Sequence, residues 1–254
     1  METRVSNASQ IISLVEKGAL LYVSHSGGKD SQAMYAEICS IAPREQVVVV
    51  HADLGEIEWE GVQAHIRGNT VHDVNVVRAD KTLFEMVRRR AVMRPDVPAF
   101  PSSAYRQCTS DLKRNPIYKF IRKDMKARAA HLAVNCIGLR AAESPARAKK
   151  ETLKRNGVLS KAGRTVYDYL PIHDYSDTEI FAAIAAAGQK PFWAYAAGNK
   201  RLSCVFCIMG CDNDLRNGVR ERPELYQKYL NLEAEVGWTM FHGASLRDRV
   251  GPSD

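Results

Sequence analysis

Leu20-Leu21-Tyr22-Val23-Ser24-His25-Ser26-Gly27-Gly28-Lys29-Asp30-Ser31 is the stretch on which the fold turns. Leu20 to Ser24 is a short apolar run of strand type, and Gln32 to Ser40 places apolar side chains at helical spacing. Between them Ser26 to Ser31 is a polar turn holding Gly27 and Gly28. Two adjacent glycines let the backbone approach an anion closely and take angles closed to other residues. The amides that follow open a helix, where the dipole favours negative charge. Ser24, Ser26 and Ser31 add hydroxyls, Lys29 adds a positive charge, and Asp30 adds a carboxylate able to hold Mg²⁺ or a water. The glycine spacing is too short for the ordinary P-loop. The plain alternative is a glycine turn that caps a helix.

Working outward, strand and helix patterns alternate. Ala8 to Val15 has helical spacing; Gln46 to His51 carries four consecutive valines, as a strand covered on both faces would. Helices are expected around Glu58 to Arg67, Leu83 to Arg90, Asp177 to Ala186 and Pro223 to Val236, and strands at Val74 to Val77 and Leu132 to Ile137. Pro95, Pro98 and Pro101 mark a loop, and Pro116 opens a helix running to Arg128 with Asn115 as its cap. Ser144 to Arg164 is rich in Lys and Arg and reads as a mobile basic loop. Alternating elements predict right-handed crossovers and a mostly parallel sheet. Ligands of such sheets bind at the carboxyl ends of the strands.

A chain of 254 residues, 45% hydrophobic and 26% charged, can bury a core without disulfides, which argues against collagen, coiled coil and wholesale disorder. No apolar run is long enough to span a bilayer, so no membrane partner is expected. Met1 to Gln10 is polar and lacks the apolar centre of a signal peptide. The expectation is a soluble, cytoplasmic protein with reduced thiols. The net charge of +7 suits a polyanion such as a nucleotide or nucleic acid. Cys39 and Cys136 stand alone in apolar surroundings and read as core. Cys204, Cys207 and Cys211 crowd together, and Cys108 stands apart in a polar segment that the fold could bring near. Thiols at this spacing can share one metal centre. An iron–sulfur cluster, Zn²⁺ and unligated redox thiols are the three readings.

Ser26-Gly27-Gly28-Lys29-Asp30-Ser31 resembles the pyrophosphate loop of the adenine nucleotide alpha-hydrolase (PP-loop ATP pyrophosphatase) superfamily. Two further segments resemble its 3'-phosphoadenylyl sulfate (PAPS) reductase branch: His51-Ala52-Asp53-Leu54-Gly55-Glu56, and Gly138 to Arg147 with its Gly-x-Arg-x-x-Glu-Ser-x-x-Arg string. Cys108, Lys113 and Pro116 match a segment of cluster-containing adenylyl sulfate (APS) reductases, with Thr109 in place of a second cysteine. The resemblance implies a Rossmann-like (HUP-type) sheet of five strands in the order 3-2-1-4-5. It also implies a nucleotide-binding domain over 1–190, with a cysteine-containing helical extension over 191–254.

The resemblance implies ATP and Mg²⁺ held by Ser24, Ser26, Gly27, Gly28, Lys29, Asp30, Ser31, Asp53, Gly138, Arg140 and Glu143. Lys29, Asp30 and Arg140 would be catalytic, and Arg147 would meet the distal substrate. Cys108, Cys204, Cys207 and Cys211 would hold a [4Fe–4S] cluster, or Zn²⁺ instead. Two departures bear on the reaction. PAPS and APS reductases have altered phosphate loops, whereas this loop keeps Lys29 and Asp30. Their nucleophile sits in a Glu-Cys-Gly-x-His tail, whereas Met240 to Asp254 has no cysteine. The chain is similar to DNA phosphorothioation sulfurtransferases and tRNA-thiolating enzymes. That similarity implies cleavage of ATP to AMP and pyrophosphate, with a nucleic acid (DNA or tRNA) or a small molecule as acceptor. A sulfur donor such as a cysteine desulfurase, and a homodimer, are further expectations. A PAPS or APS reductase and a non-catalytic ATP-binding subunit are the alternatives.

Overall fold

The computed structural model describes residues 2–251, with side chains from residue 9 onward. Met1, at the polar start, and 252–254, in the cysteine-free tail, lie outside the described residues. The chain divides into two compact units. The first comprises Met1–His51, Gln63–Val77 and Ile117–Pro191; the second comprises Ala52–Val62, Arg78–Pro116 and Phe192–Asp254.

The sheet is α/β and mostly parallel, as the alternation requires. Its strands are β1 (Leu20–Ser24), β2 (Val47–Asp53), β3 (Val74–Arg78), β4 (Leu132–Cys136), β5 (Leu153–Arg155) and β6 (Thr165–Tyr169), in the order β3-β2-β1-β4-β6-β5. β1 lies parallel to both β2 and β4, with Leu21 opposite Val47 and Leu20 opposite Ala133. β6 runs parallel to β4, and β5 antiparallel to β6. The five-strand expectation is therefore corrected to six. The reversal of chain direction after β4 places β6 beside it, and the short β5 closes the edge. The segment Ser144 to Arg164 is not simply a loop: it forms α6 (Pro145–Ala148) and β5, and enters the sheet.

α1 (Glu2–Glu16), α2 (Lys29–Ile41) and α7 (Asp177–Ala186) pack one core with the central strands. Ile11, Leu21, Met34, Ile38, Val49, Val134 and Ile180 are fully buried in it. Cys136 belongs to this core, but Cys39 does not: it is exposed on α2. α3 (Val62–Gly68) precedes β3. α5 (Asn115–Ala127) reaches β1 through Phe120, edge-on to Tyr22, and through Asp124, which accepts from the Tyr22 hydroxyl at 2.8 Å. Asn115 is not a cap. Its backbone is already helical, because a π-helical turn, Thr109–Arg114, runs into α5.

The second unit holds α4 (Leu83–Met93), α8 (Trp193–Ala196), α9 (Asp212–Glu221), α10 (Pro223–Val236) and α11 (Leu246–Val250). Tyr229 on α10 is its hub, with ring centroids 5.0 Å from Phe84 and 5.3 Å from Phe206. Buried Glu233 accepts from the amides of Met240 (2.6 Å) and Leu246 (3.0 Å), which fastens the last segment to α10. No described helix is long and apolar enough to cross a membrane.

Candidate functional site

In the first unit, the sequence from β1 to α2 folds into a tight turn because Gly27 takes φ +76°, open to glycine at little cost. Gly28 then caps α2. The turn is hydrogen-bonded to itself. The Ser26 amide donates to Ser31 Oγ (3.2 Å), the Gly27 amide donates to His25 Nδ1 (3.1 Å), and Ser31 Oγ donates to the Gly28 carbonyl (2.8 Å). His25 is buried, and its carbonyl lies 3.0 Å from His51 Nδ1. Burial, then neighbouring His51 and His65, push its pKa down to about 3, so the ring is neutral and can accept from Gly27. Gly138, in the turn after β4, is required by space. A Cβ there would lie 3.2 Å from the Asp30 carbonyl oxygen and 3.4 Å from the Ser31 nitrogen. The two turns therefore meet backbone to backbone.

That contact sets Arg140 beside the turn, buried to 5% exposure. Its Nε donates to Asp30 Oδ1 (2.7 Å), its Nη2 to Asp177 Oδ1 (2.8 Å) and its Nη1 to the Tyr175 carbonyl (3.2 Å). Lys29 Nζ lies 3.2 Å from the same Asp177 oxygen and 3.7 Å from Asp30. Two cations and two carboxylates thus close a ring over the start of α2. Burial pushes the Asp177 carboxyl up, but Lys29 and Arg140 outweigh it and hold it below the ordinary carboxylate range. The arrangement can take a polyphosphate: two cations and a helix N-terminus converge, and a carboxylate already stands against them.

Sequence reasoning missed Asp177. Its only local signal is the capping box Ser176-x-x-Glu179, which starts α7 but does not say what that start faces. Glu143 accepts from the Arg140 backbone amide (3.1 Å) and pairs with Arg147, while Asp30 and Asp177 hold the Arg140 guanidinium. Ser24 ends β1 and is half-buried.

In the second unit, Asp53 accepts from the Gly55 amide (2.7 Å) and pairs with Arg78. The cysteine segment is anchored nearby by Val205, whose amide donates to the Ile57 carbonyl (2.9 Å). Cys108 stands at the head of the π turn that carries Lys113. Burial pulls the Lys113 ammonium down, but Cys204, Cys207, Cys108 and Glu58 together raise it above its ordinary value. Burial pushes the Cys204 thiol up to about 12, opposed by Lys113. Burial also raises Cys108, again opposed by Lys113. Three of the four expected thiols therefore share one electrostatic environment around a lysine. Cys211 instead stands at the N-cap of α9. Among the described residues no group of three or more His, Cys, Asp or Glu side chains is arranged to hold a metal ion. All six cysteines are free.

Residues 20–209 match the phosphoadenosine phosphosulfate reductase domain family. The chain belongs to that family. No curated protein matches it. Among solved structures, this PAPS reductase family member is similar to a PAPS reductase from Candida auris in a phosphate complex. The TM-score is 0.46 at 12% identity, covering 72% of this chain and 80% of that one. It is similar to an FMN adenylyltransferase from Candida glabrata with FAD and inorganic pyrophosphate (TM-score 0.45, 12% identity, 80% and 64% coverage). It is also similar to a 4-thiouridine synthetase in complex with RNA and bound ATP (TM-score 0.37, 14% identity, 87% and 54% coverage). The chain thus spans about half the length of the thiouridine synthetase. The family's matched span includes the glycine turn, Arg140 and three of the four expected thiol ligands, and ends before Cys211.

Proposed function

We propose that this PAPS reductase family member cleaves ATP between its α and β phosphates and adenylates an acceptor oxygen for replacement by sulfur. The observation that carries the reading is the pairing of the glycine turn with Lys29 and Arg140. It gives two cations and a helix start aimed at one place. The acceptor oxygen would attack the α phosphorus, the bond to the bridging oxygen would break, and pyrophosphate would leave on Lys29, Arg140, Ser26 and Ser31. A sulfide nucleophile would then displace AMP from the adenylated acceptor. Asp30 and Glu143 would serve Mg²⁺, which supplies charge neutralisation of the leaving group when bound.

The thiols fit a thiolate-bound centre by donor chemistry, and Lys113 beside them suits a centre of net negative charge. Cys108, Cys204 and Cys207 would hold a [4Fe–4S] cluster or Zn²⁺. Cys211, at the N-cap of α9, would be the fourth ligand. Such a cluster would supply sulfur-binding or electron-transfer chemistry. An external sulfur donor such as a cysteine desulfurase, a nucleic-acid acceptor, a homodimer and a cytoplasmic setting complete the proposal. A PAPS or APS reductase is the second reading, favoured by the family match itself.

The test uses anaerobically purified protein, assayed for iron, acid-labile sulfide and zinc, and for pyrophosphate release from ATP with tRNA or DNA present. Pyrophosphate release that Lys29→Ala lowers by about 100-fold or more supports the reading, on the scale of a lost charge stabilising the leaving group. Sulfite release from APS or PAPS without ATP cleavage supports the reductase. Binding of ATP with neither product would make the protein a nucleotide-binding subunit.

A further inference from the structure

The positive charge of this chain is not spread evenly. Residues 117–128 and 144–164, both within the first unit, hold twelve Lys or Arg and only two acids, Asp124 and Glu151. That excess of ten is larger than the net charge of +7, so the remaining residues are net acidic. α5 shows how the charge is displayed. It buries Ile117, Ile121 and Met125 at intervals of four and carries Lys119, Arg122, Lys123 and Lys126 as an i, i+3, i+4, i+7 stripe. Lys119, Lys123 and Lys126 are exposed and Arg122 is half-buried.

The β5–β6 hairpin is tied to this helix. Asn156 Nδ2 donates to the Tyr118 hydroxyl at 2.8 Å and to Asp168 at 2.9 Å. The hairpin and its approach add Lys149, Lys150, Arg155, Lys161 and Arg164. Of the twelve cations, Arg128, Arg147 and Lys154 have ion-pair partners, in Asp124, Glu143 and Glu151. The stripe and the five hairpin cations have none among the described residues. Cations at these helical intervals repel one another by a few tenths of a kcal/mol per pair. A polyanion lying along the face would turn that cost into attraction.

We propose that the α5 stripe and the β5–β6 hairpin form a docking face for the phosphate backbone of base-paired nucleic acid. The stripe from Lys119 to Lys126 runs for about 10 Å, the axial length of about three phosphates of one strand. Single strands are held by bases stacked on exposed aromatic rings. The exposed large aromatics Tyr105, Phe181 and Trp193 all lie outside both segments. Within the segments Tyr118 and Phe120 are half-buried and already engaged by Asn156 and Tyr22, so the face offers charge in preference to stacking, which suits a helix whose bases are already stacked. Recognition here is of phosphates and is independent of sequence. This deepens the proposed function by narrowing its nucleic-acid acceptor to a base-paired one and giving it a docking face, in a different part of the first unit.

The experiment measures binding of the full chain to labelled probes by fluorescence anisotropy between 50 and 200 mM salt. The probes are a DNA duplex, an RNA hairpin of equal stem length and a single-stranded oligonucleotide. Five phosphate contacts give a log–log salt slope of about −4 to −5, so duplex binding should weaken by at least about 250-fold across that range. Replacing Lys119, Arg122, Lys123 and Lys126 together by Gln should cut affinity by tenfold or more and flatten the slope by about 2 to 4. A second variant, Lys149→Gln, Lys150→Gln and Lys161→Gln, tests the hairpin in the same way and guards against misfolding of the first. Tighter binding of DNA duplex or of RNA helix would identify the source of the backbone, and either supports the face. No binding at 50 mM salt, equal or tighter binding of the single strand, or binding indifferent to both variants would overturn it. Lys29→Ala should lower ATP cleavage by about 100-fold or more and keep nucleic-acid affinity, so the two proposals can fail separately.

Discussion

At the scale of single residues, Asp177 and His25 do more than the motif around them suggests. Asp177 stands where an incoming phosphate would meet Lys29 and Arg140, so it competes with that phosphate as well as steadying the two cations. Asp177→Asn should lower the Kd for inorganic pyrophosphate by about tenfold, the worth of one charge-assisted contact. Calorimetric titration checks this, and weaker binding would mean that Asp177 chiefly orients Arg140. His25 is the neutral support of the turn. The unfolded chain takes up its proton near pH 6.5, while the folded ring resists until about pH 3. Its contribution is thus fully present above pH 6.5 and is lost as pH falls toward 3. Between pH 6.5 and roughly 4.5 the expected loss is on the order of 2–3 kcal/mol. Urea unfolding at several pH values should show a shallower pH slope for His25→Gln than for the wild type. Parallel slopes would remove the buried neutral ring as the cause.

At the scale of elements, most of the first unit could be read from pattern, because β1 and β2 are short apolar runs buried on both faces and α7 buries Ile180 and Ile184 at helical spacing. The start of α7 at Asp177 follows from the Ser176–Glu179 capping box, and the limits of α10 from Pro223 at its start and Gly237 at its end. β5 was hidden because Leu153-Lys154-Arg155 has the composition of a loop and pairs only as an edge strand. Likewise α9 is mostly polar outside Leu215, and it carries Gly218 in its interior. That glycine has a spatial reason: a Cβ there would sit 2.9 Å from both Phe206 and Val205, inside the cysteine segment. Gly218→Ala would ordinarily favour a helix by about 1 kcal/mol. Here overpacking should dominate, destabilising the protein by about 1–3 kcal/mol. It should also speed reaction of Cys204 and Cys207 with a chromogenic disulfide reagent. A more stable variant with unchanged thiol kinetics would show that α9 does not set the cysteine turn. The phosphate turn could be read from sequence because its residues are contiguous. That Cys108 joins Cys204 near Lys113 was legible only through the family resemblance, and that Glu58 joins them could not be read at all, since these residues meet only in the folded unit.

At the scale of the whole molecule, a ligand that binds only the folded state stabilises it by mass action. ATP with Mg²⁺ at a hundredfold excess over its Kd should contribute about 2.7 kcal/mol. For a chain of this size that is a rise in Tm of roughly 5–10 °C. Differential scanning fluorimetry checks it; Lys29→Ala should erase the rise, and its persistence in that variant would move the nucleotide elsewhere. The ring of Lys29, Arg140, Asp30 and Asp177 has a consequence for how that ligand arrives. Two positive and two negative charges cancel, and what remains is a quadrupole whose field dies away within a few ångströms. Such a mouth cannot draw an anion from a distance. It recognises only a molecule already at contact, once the carboxylates have been exchanged for phosphate oxygens. Any response of the nucleotide's association rate to ionic strength should therefore come from the net positive charge of the chain and not from the ring itself.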